Sequence, residues 1–142
     1  MKKNYLCPHC RSFLRVWNNI IFTVKKCEDD TRGLILLNAE LGNYSVISHP
    51  AIHFKEGECV EFICPVCYKN LTASGINEHL ACVLMINENN EEFAVYFSKI
   101  AGEHSTFMIK KDDIIEKYGE DTSAYLNYFM SKFRAKMEKR AQ

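Results

Sequence analysis

Two pairs of cysteines carry the clearest chemistry in this chain of 142 residues. The first is Cys7-Pro8-His9-Cys10 and the second is Cys64-Pro65-Val66-Cys67. A short Cys-x-x-Cys turn aims two sulfurs at one metal ion, and two such turns can complete a tetrahedral shell of four thiolates. The spacing therefore predicts one structural Zn²⁺ ion with Cys7, Cys10, Cys64 and Cys67 as its ligands.

Two redox interpretations of the same pairs stay open beside zinc. Cys-Pro-His-Cys also occurs at the active site of thioredoxin-fold disulfide oxidants, which need a strand before the motif and a helix that begins at the first Cys. Here the motif begins at residue 7, which leaves no room for that unit. A rubredoxin-like centre holds iron with similar paired turns, usually closer together in the sequence. Zinc is the favoured interpretation.

The two turns resemble the knuckles of the zinc-ribbon superfamily, in which two Cys-Pro-x-Cys turns at hairpin tips share one zinc ion. The resemblance covers only the knuckles and the strands that enter them, and it indicates no particular family. It implies the four paired cysteines as ligands and nothing further. Such knuckles often have Gly directly after the second Cys, where φ is positive. This chain has Arg11 and Tyr68 there, so either the turn differs or some strain is tolerated.

The composition is that of a folded globular protein, with 47% hydrophobic and 25% charged residues. No apolar run approaches the roughly 18 residues of a membrane helix, and the first residues lack the apolar stretch of a signal peptide. We therefore expect a cytoplasmic protein with no membrane partner and with reduced thiols. On this view Cys27 is an exposed thiol in a charged loop, whereas Cys59 and Cys82 are small core residues.

The hydrophobic pattern predicts an α+β fold, with a zinc ribbon, an antiparallel β-sheet of hairpins and a meander, and two C-terminal helices. Apolar and β-branched runs indicate strands at 20–24, 34–37, 44–47, 59–63, 80–86, 93–97 and 106–109. Asp112 is a candidate N-cap for a short helix through Tyr118. We expect a zinc-ribbon and β domain over 1–110 and a helical segment over 111–142. No internal repeat is evident.

The second predicted helix begins near 121–123 and has an apolar stripe along one face. The stripe consists of Leu126, Phe129, Met130, Phe133 and Met137. A stripe of this kind most often packs within its own chain, but Tyr125 and Tyr128 widen it. The helix is therefore predicted to pack on the β domain or on a protein partner, and self-association stays open.

Charge is segregated along the chain, although the net charge is zero. Residues 1–26, the basic N-terminal arm, hold six Lys or Arg and no acid, and residues 132–142 hold five against one Glu. These cations could meet RNA or DNA, or they could offset the charge of a zinc-thiolate centre. The candidate nucleic-acid contacts combine cations with an aromatic ring. They are Arg11, Arg15, Trp17, Lys25 and Lys26.

No motif in the chain predicts catalysis, because there is no phosphate loop, nucleophile elbow or second metal set. We therefore expect a protein that is not an enzyme. The favoured function is that of a non-catalytic zinc-binding adaptor or regulatory protein that acts through macromolecular binding. RNA or DNA binding through the basic N-terminal arm is the alternative, and a rubredoxin-like or thiol redox protein is the second alternative.

Overall fold

The computed structural model describes residues 3–110, 113–126 and 129. Ten strands are the main secondary structure of this part of the chain, and every pairing between them is antiparallel. In chain order they are β1 (Lys3–Leu6), β2 (Arg15–Val16), β3 (Asn19–Lys26), β4 (Arg32–Asn38), β5 (Val46–Ser48), β6 (Val60–Ile63), β7 (Leu80–Asn87), β8 (Glu92–Ser98), β9 (Thr106–Lys110) and β10 (Asp113–Tyr118). A short helix, α1, covers 123–126, and Phe129 is also helical.

The strands form two five-stranded sheets that share one core. Sheet I has the order β1-β7-β8-β9-β10, and sheet II has the order β2-β3-β4-β5 with β6 also paired to β3. Alternate residues of β3 and β7 are buried, as expected when one face of each sheet packs on a core. Phe97 of sheet I joins the sheets, because its ring centroid lies 5.7 Å from that of Phe22 and 5.0 Å from that of Phe62.

The prediction of an α+β fold with two C-terminal helices was wrong, because the described chain is nearly all antiparallel β. The segment predicted as the first helix is β10, which pairs with β9 from Asp113 opposite Lys110 to Tyr118 opposite Thr106. Its β-branched Ile114 and Ile115 suit a strand, and β9 offers a partner edge. Tertiary pairing therefore outweighs the single N-cap signal on which the helix was predicted.

Of the second predicted helix, only α1 and Phe129 are described. Phe129 is fully buried and Leu126 half-buried in a second apolar cluster on the outer face of sheet I. The buried members of this cluster are Leu80, Phe107, Ile109, Tyr125 and Phe129. The remaining stripe residues Met130, Phe133 and Met137 lie outside the described residues. Within the described part, no helix is long and apolar enough to cross a membrane.

The two halves of the described chain repeat one arrangement of strands, which the sequence did not reveal. β1, β3, β4 and β5 correspond to β6, β7, β8 and β9. The registers match: β3 and β4 begin their pairing with Asn19 opposite Asn38, and β7 and β8 with Leu80 opposite Ser98. The sequence does not show this repeat, because equivalent strands share the alternation of buried and exposed positions but not the same amino acids.

The first strand of each half pairs with the other half. β1 pairs with β7, where Lys3 lies opposite Asn87, and β6 pairs with β3, where Val60 lies opposite Lys26. These two pairs occupy equivalent positions in the two halves. Each half therefore contributes its first strand to the sheet of the other half, so the strand topology has an approximate two-fold symmetry. Because β1 and β6 are equivalent, the two cysteine turns follow equivalent strands.

Candidate metal centre

Each Cys-Pro-x-Cys turn, or knuckle, begins directly after the first strand of its half. Cys7 follows β1 and Cys64 follows β6. The two turns close with the same hydrogen bond, in which the amide of the residue after the knuckle donates to the first Cys carbonyl: Arg11 N to Cys7 O at 2.9 Å and Tyr68 N to Cys64 O at 3.0 Å. The knuckles are therefore equivalent parts of the repeated fold.

The four cysteine sulfurs meet in one cluster, with all Sγ atoms within 4.8 Å of one another. The Sγ atoms of Cys7 and Cys67 are 3.7 Å apart, and those of Cys10 and Cys64 are 3.8 Å apart. A tetrahedral site with Zn–S bonds of about 2.3 Å places its sulfurs about 3.8 Å from one another. The predicted ligands therefore form a cluster that could hold one metal ion.

Backbone amides surround the first sulfur of each knuckle. In both turns the amides of the third and fourth residues donate to this sulfur, at 3.3 and 3.5 Å for Cys7 and at 3.3 and 3.4 Å for Cys64. These donors stabilise negative charge on sulfur. Cys7 and Cys64 are fully buried, whereas Cys10 is exposed and Cys67 half-buried.

The thiols differ in pKa because of their surroundings. Hydrogen bonds from the hydroxyl and the amide of Ser12 lower the pKa of Cys10 to about 6. Burial raises the pKa of Cys64 to about 12, and it also raises the pKa of Cys7. The buried pair would stay protonated at neutral pH without a cation. A bound metal ion supplies the positive charge that lets all four sulfurs act as thiolates.

Arg11 and Tyr68 occupy the positive-φ position of the knuckle, with φ values of 60° and 63°. Of the two alternatives raised by the missing glycines, the structure has the strained one. A left-handed conformation costs a residue with a Cβ atom roughly 1–2 kcal/mol. The Arg11 guanidinium also lies 2.8 Å from a Glu92 carboxylate oxygen, so this cation is paired within the chain.

The structure does not bring the five predicted nucleic-acid contacts together. Arg15 lies opposite Ile20 near the start of β3, whereas Lys25 and Lys26 are at its far end. Five residues of strand separate Ile20 from Lys25 by roughly 17 Å. Lys26 is also paired, at 3.4 Å, with Glu58.

Arg15 of β2 is hydrogen-bonded to Trp17, which lies on the turn between β2 and β3. Arg15 Nε donates to Trp17 O at 2.7 Å, and Arg15 Nη1 donates to Lys3 O at 2.8 Å. The Trp17 side chain is 83% exposed. This corner of sheet II therefore combines an exposed aromatic residue with a half-buried cation fixed by two hydrogen bonds, although the other predicted contacts lie elsewhere.

Cys27 and Cys59 form a disulfide, so the prediction of reduced thiols was wrong for this pair. Their Cα atoms are 5.4 Å apart and both side chains are half-buried, which differs from the exposed and core positions expected for them. The bond joins the end of β3 to the start of β6, next to the pair of Lys26 and Val60. The positions of Cys27 and Cys59 in the sequence do not predict this bond, because the two thiols meet only where β3 of the first half pairs with β6 of the second half.

A cavity of about 470 Å³ lies between the two sheets. Its wall is mainly apolar core, and its rim includes Tyr44 and His104, whose stacked rings have centroids 4.3 Å apart. The Tyr44 hydroxyl lies 3.0 Å from the Tyr118 carbonyl oxygen that accepts its hydrogen bond. His104 Nδ1 lies 3.0 Å from a Glu120 carboxylate oxygen. The Tyr44 hydroxyl and the His104 ring are thus engaged with their neighbours, whereas Ser105, which also lines the cavity, has a buried Oγ with no hydrogen-bond partner among the described residues.

Comparison with known proteins finds no relative for the chain: no family model matches it, and no curated protein or solved structure matches it. The cysteine cluster is compatible with a zinc-ribbon-like site.

Proposed function

We propose that the chain is a non-catalytic zinc-binding adaptor or regulatory protein that acts by binding another macromolecule. The observation that carries the proposal is the cluster of four sulfurs within 4.8 Å of one another, in which the pairs Cys7–Cys67 and Cys10–Cys64 have the tetrahedral separations of 3.7 and 3.8 Å. Four protein ligands complete the shell of zinc and leave no position for a substrate or an activated water. Such closed sites stabilise structure.

A zinc ion in this cluster would connect the two halves of the fold. Cys7 and Cys10 come from the turn after β1, and Cys64 and Cys67 come from the equivalent turn after β6. Both strands are the ones exchanged between the halves. The ion would therefore fix the exchanged strands, and with them the surfaces of both sheets, in one rigid unit that can present a binding face.

Metal content tests the zinc part of this proposal. Elemental analysis of the purified chain should find one zinc ion per molecule, and Cys67→Ser should lose most of it because a three-sulfur site binds zinc more weakly. Cys82→Ser is the matched control, since Cys82 is a free thiol outside the cluster. Iron in place of zinc would favour the rubredoxin-like alternative, and no metal would refute the proposal.

A second candidate function, RNA or DNA binding, is favoured by the exposed Trp17, whose carbonyl oxygen accepts a hydrogen bond from Arg15. The ring could stack on a base while the guanidinium meets a phosphate. Trp17→Ala should weaken binding of single-stranded RNA by about 1–3 kcal/mol, and binding should fall as salt rises. Trp17→Phe is the matched control, because it keeps an aromatic ring that can stack on a base. A gel shift without binding at low salt would exclude this candidate.

A further inference from the structure

The core side of sheet II is not fully covered at β5. Val46 of β5 lies opposite Leu37 of β4, and Leu37 lies opposite Ile20 of β3. Directly paired residues of antiparallel strands project to the same side of a sheet. Ile20 is buried in the core, so Val46 projects to the core side as well. The Val46 side chain is nevertheless 55% exposed, which leaves an apolar residue uncovered between the sheets.

The equivalent strand of sheet I has its core side covered. Thr106 of β9 takes the place of Val46, and Met108 takes the place of Ser48. Thr106 is 5% exposed and Met108 is 7% exposed, whereas Ser48 is exposed, as Val46 is. The repeated fold therefore fills the space between the sheets at β9 and leaves it open at β5.

The open space is the cavity of about 470 Å³ between the sheets, which Val46 and Ser48 both line. Sites for small molecules in proteins commonly enclose about 300–1,000 Å³ behind a mostly apolar wall. The half-buried apolar side chains of this wall come from both sheets and from the loops on either side of β5. They include Leu37, Leu41, Phe54 and Phe97. The cavity therefore has the size and the lining of a small-molecule site.

Charge in the wall argues against an anionic ligand. Among the described residues, Lys99 is the one buried charged side chain, and its Nζ lies 2.8 Å from a Glu61 carboxylate oxygen and 2.7 Å from Thr72 Oγ1. The charge of Lys99 is therefore already paired. Glu40 and Glu103 also line the cavity, so an anion there would meet like charge.

The hydroxyl groups of the residues that line the cavity suit an uncharged ligand. Tyr44 Oη lies 2.9 Å from Thr106 Oγ1, and Tyr5 Oη donates a hydrogen bond to Ala39 O at 2.6 Å. Ser105 Oγ has no partner among the described residues, but it is neutral. None of these groups requires an ionised partner, and a buried ion without one is costly.

We propose that the cavity between the sheets binds an uncharged, mainly apolar small molecule, which enters beside Val46 and lies against Phe54 and Phe97. This binding goes beyond the proposed adaptor function, and it does not involve the four cysteines of the metal cluster. The bound molecule would cover Val46 and remove its apolar surface from water, which is favourable roughly in proportion to the area buried.

The probe is N-phenyl-1-naphthylamine, an uncharged dye whose emission rises in apolar surroundings, titrated into the purified full chain. We expect saturable binding of one dye per chain. Val46→Trp should weaken this binding about tenfold or more, because the larger side chain fills the entrance. Ile47→Trp is the matched control: Ile47 is 58% exposed on the same strand but projects from the opposite side, so this variant should bind as the unsubstituted chain does.

A second dye tests the charge of the ligand. 8-Anilinonaphthalene-1-sulfonate has the same ring system with an added sulfonate, so it should bind at least about tenfold more weakly than the uncharged dye. Circular dichroism of each variant verifies that it is folded before the dyes are compared.

Three results would overturn the inference. They are no saturable binding of the uncharged dye by the folded chain, equal binding by the two Trp variants, and tighter binding of the sulfonate. Zinc content is measured on the same samples. A zinc-loaded chain that binds no dye fails this inference alone, whereas a chain without zinc that binds the dye fails the proposed function alone.

Discussion

Each knuckle turns its backbone through a residue with positive φ, and in both cases that residue has a side chain. Tyr68 has φ of 63° and its side chain is 73% exposed, so it gains little from packing. The equivalent Arg11 has an ion pair with Glu92 that complicates any substitution there. Tyr68 is therefore the cleaner position at which to measure the strain of the turn.

Tyr68→Gly should raise the free energy of unfolding by about 1 kcal/mol in urea denaturation, because glycine adopts positive φ without the Cβ clash. Lys69→Gly is the matched control, since Lys69 is exposed and has no positive φ. It should lower the free energy of unfolding by about 0.5–1 kcal/mol through added backbone entropy. Equal destabilisation by both substitutions would show that the knuckle stores no strain at this residue.

Cys10 should be the reactive thiol of the metal-free chain. Its pKa of about 6 means that the thiolate, which is the nucleophile, forms as pH rises through that value. Alkylation by iodoacetamide, followed by mass spectrometry, should therefore reach half its maximal rate near pH 6 and stay high above it. Cys64, whose pKa burial raises to about 12, should remain unmodified at neutral pH.

Two comparisons make the alkylation experiment decisive. Ser12→Ala removes a hydrogen bond that lowers the Cys10 pKa, so the midpoint should move to higher pH. Added zinc should protect Cys10 by occupying its sulfur. A midpoint near the ordinary cysteine value of about 8.5 in the unsubstituted chain would contradict the environment described for this thiol.

Among the secondary-structure elements, the disulfide links the two strands, β3 and β6, that pair between the two halves of the fold. Cys27 and Cys59 are separated by 32 residues in the sequence and lie where β3 meets β6. Closing a loop of this length restricts the unfolded chain. Lys26 and Glu58, next to the two cysteines, add an ion pair at 3.4 Å across the same junction.

The double substitution of Cys27 and Cys59 by Ala should lower the free energy of unfolding by about 2–4 kcal/mol. Thiol counting in denaturant, after removal of metal, gives an independent check. Five of the seven cysteines are free, so five thiols should react before reduction and seven after it. Seven reactive thiols without reductant would show that this bond does not form.

Local patterns in the sequence were enough for most of the strands and for the knuckles, but they missed β1 and β2 and were not enough for elements defined by pairing. The apolar, β-branched run at 20–24 and the spacing of Cys7 and Cys10 are signals within a few residues, and the structure has a strand at the first and a turn that could supply metal ligands at the second. β10 was mistaken for a helix because its strand character depends on β9. The disulfide and the repeat depend on contacts between halves, which one sequence does not display.

In the described part of the molecule, the cluster of four cysteines lies where the two halves meet. Each half contributes one knuckle, and each knuckle follows a strand that is paired to the opposite half. Metal binding should therefore be coupled to the stability of the whole described fold rather than to one hairpin. Structural zinc contributes apparent free energies of roughly 10–16 kcal/mol in small zinc peptides, so the coupling should be large.

Removal of the metal by a chelator should lower the melting temperature by at least several degrees, as expected when a ligand specific to the folded state is withdrawn. Circular dichroism of the β signal follows the transition, and added zinc should restore it. Cys82→Ser should respond as the unsubstituted chain does, because Cys82 is outside the cluster. An unchanged melting temperature after complete metal removal would contradict a structural role for the ion.

We propose that Cys7, Cys10, Cys64 and Cys67 together hold one structural zinc ion. X-ray absorption at the zinc edge of the purified full chain is the decisive measurement, because it reports the element, the ligand atoms and their distances together. The expected result is a single shell of four sulfurs at about 2.3 Å. A shell with oxygen or nitrogen neighbours, fewer than four sulfurs, or iron as the bound metal would contradict the claim.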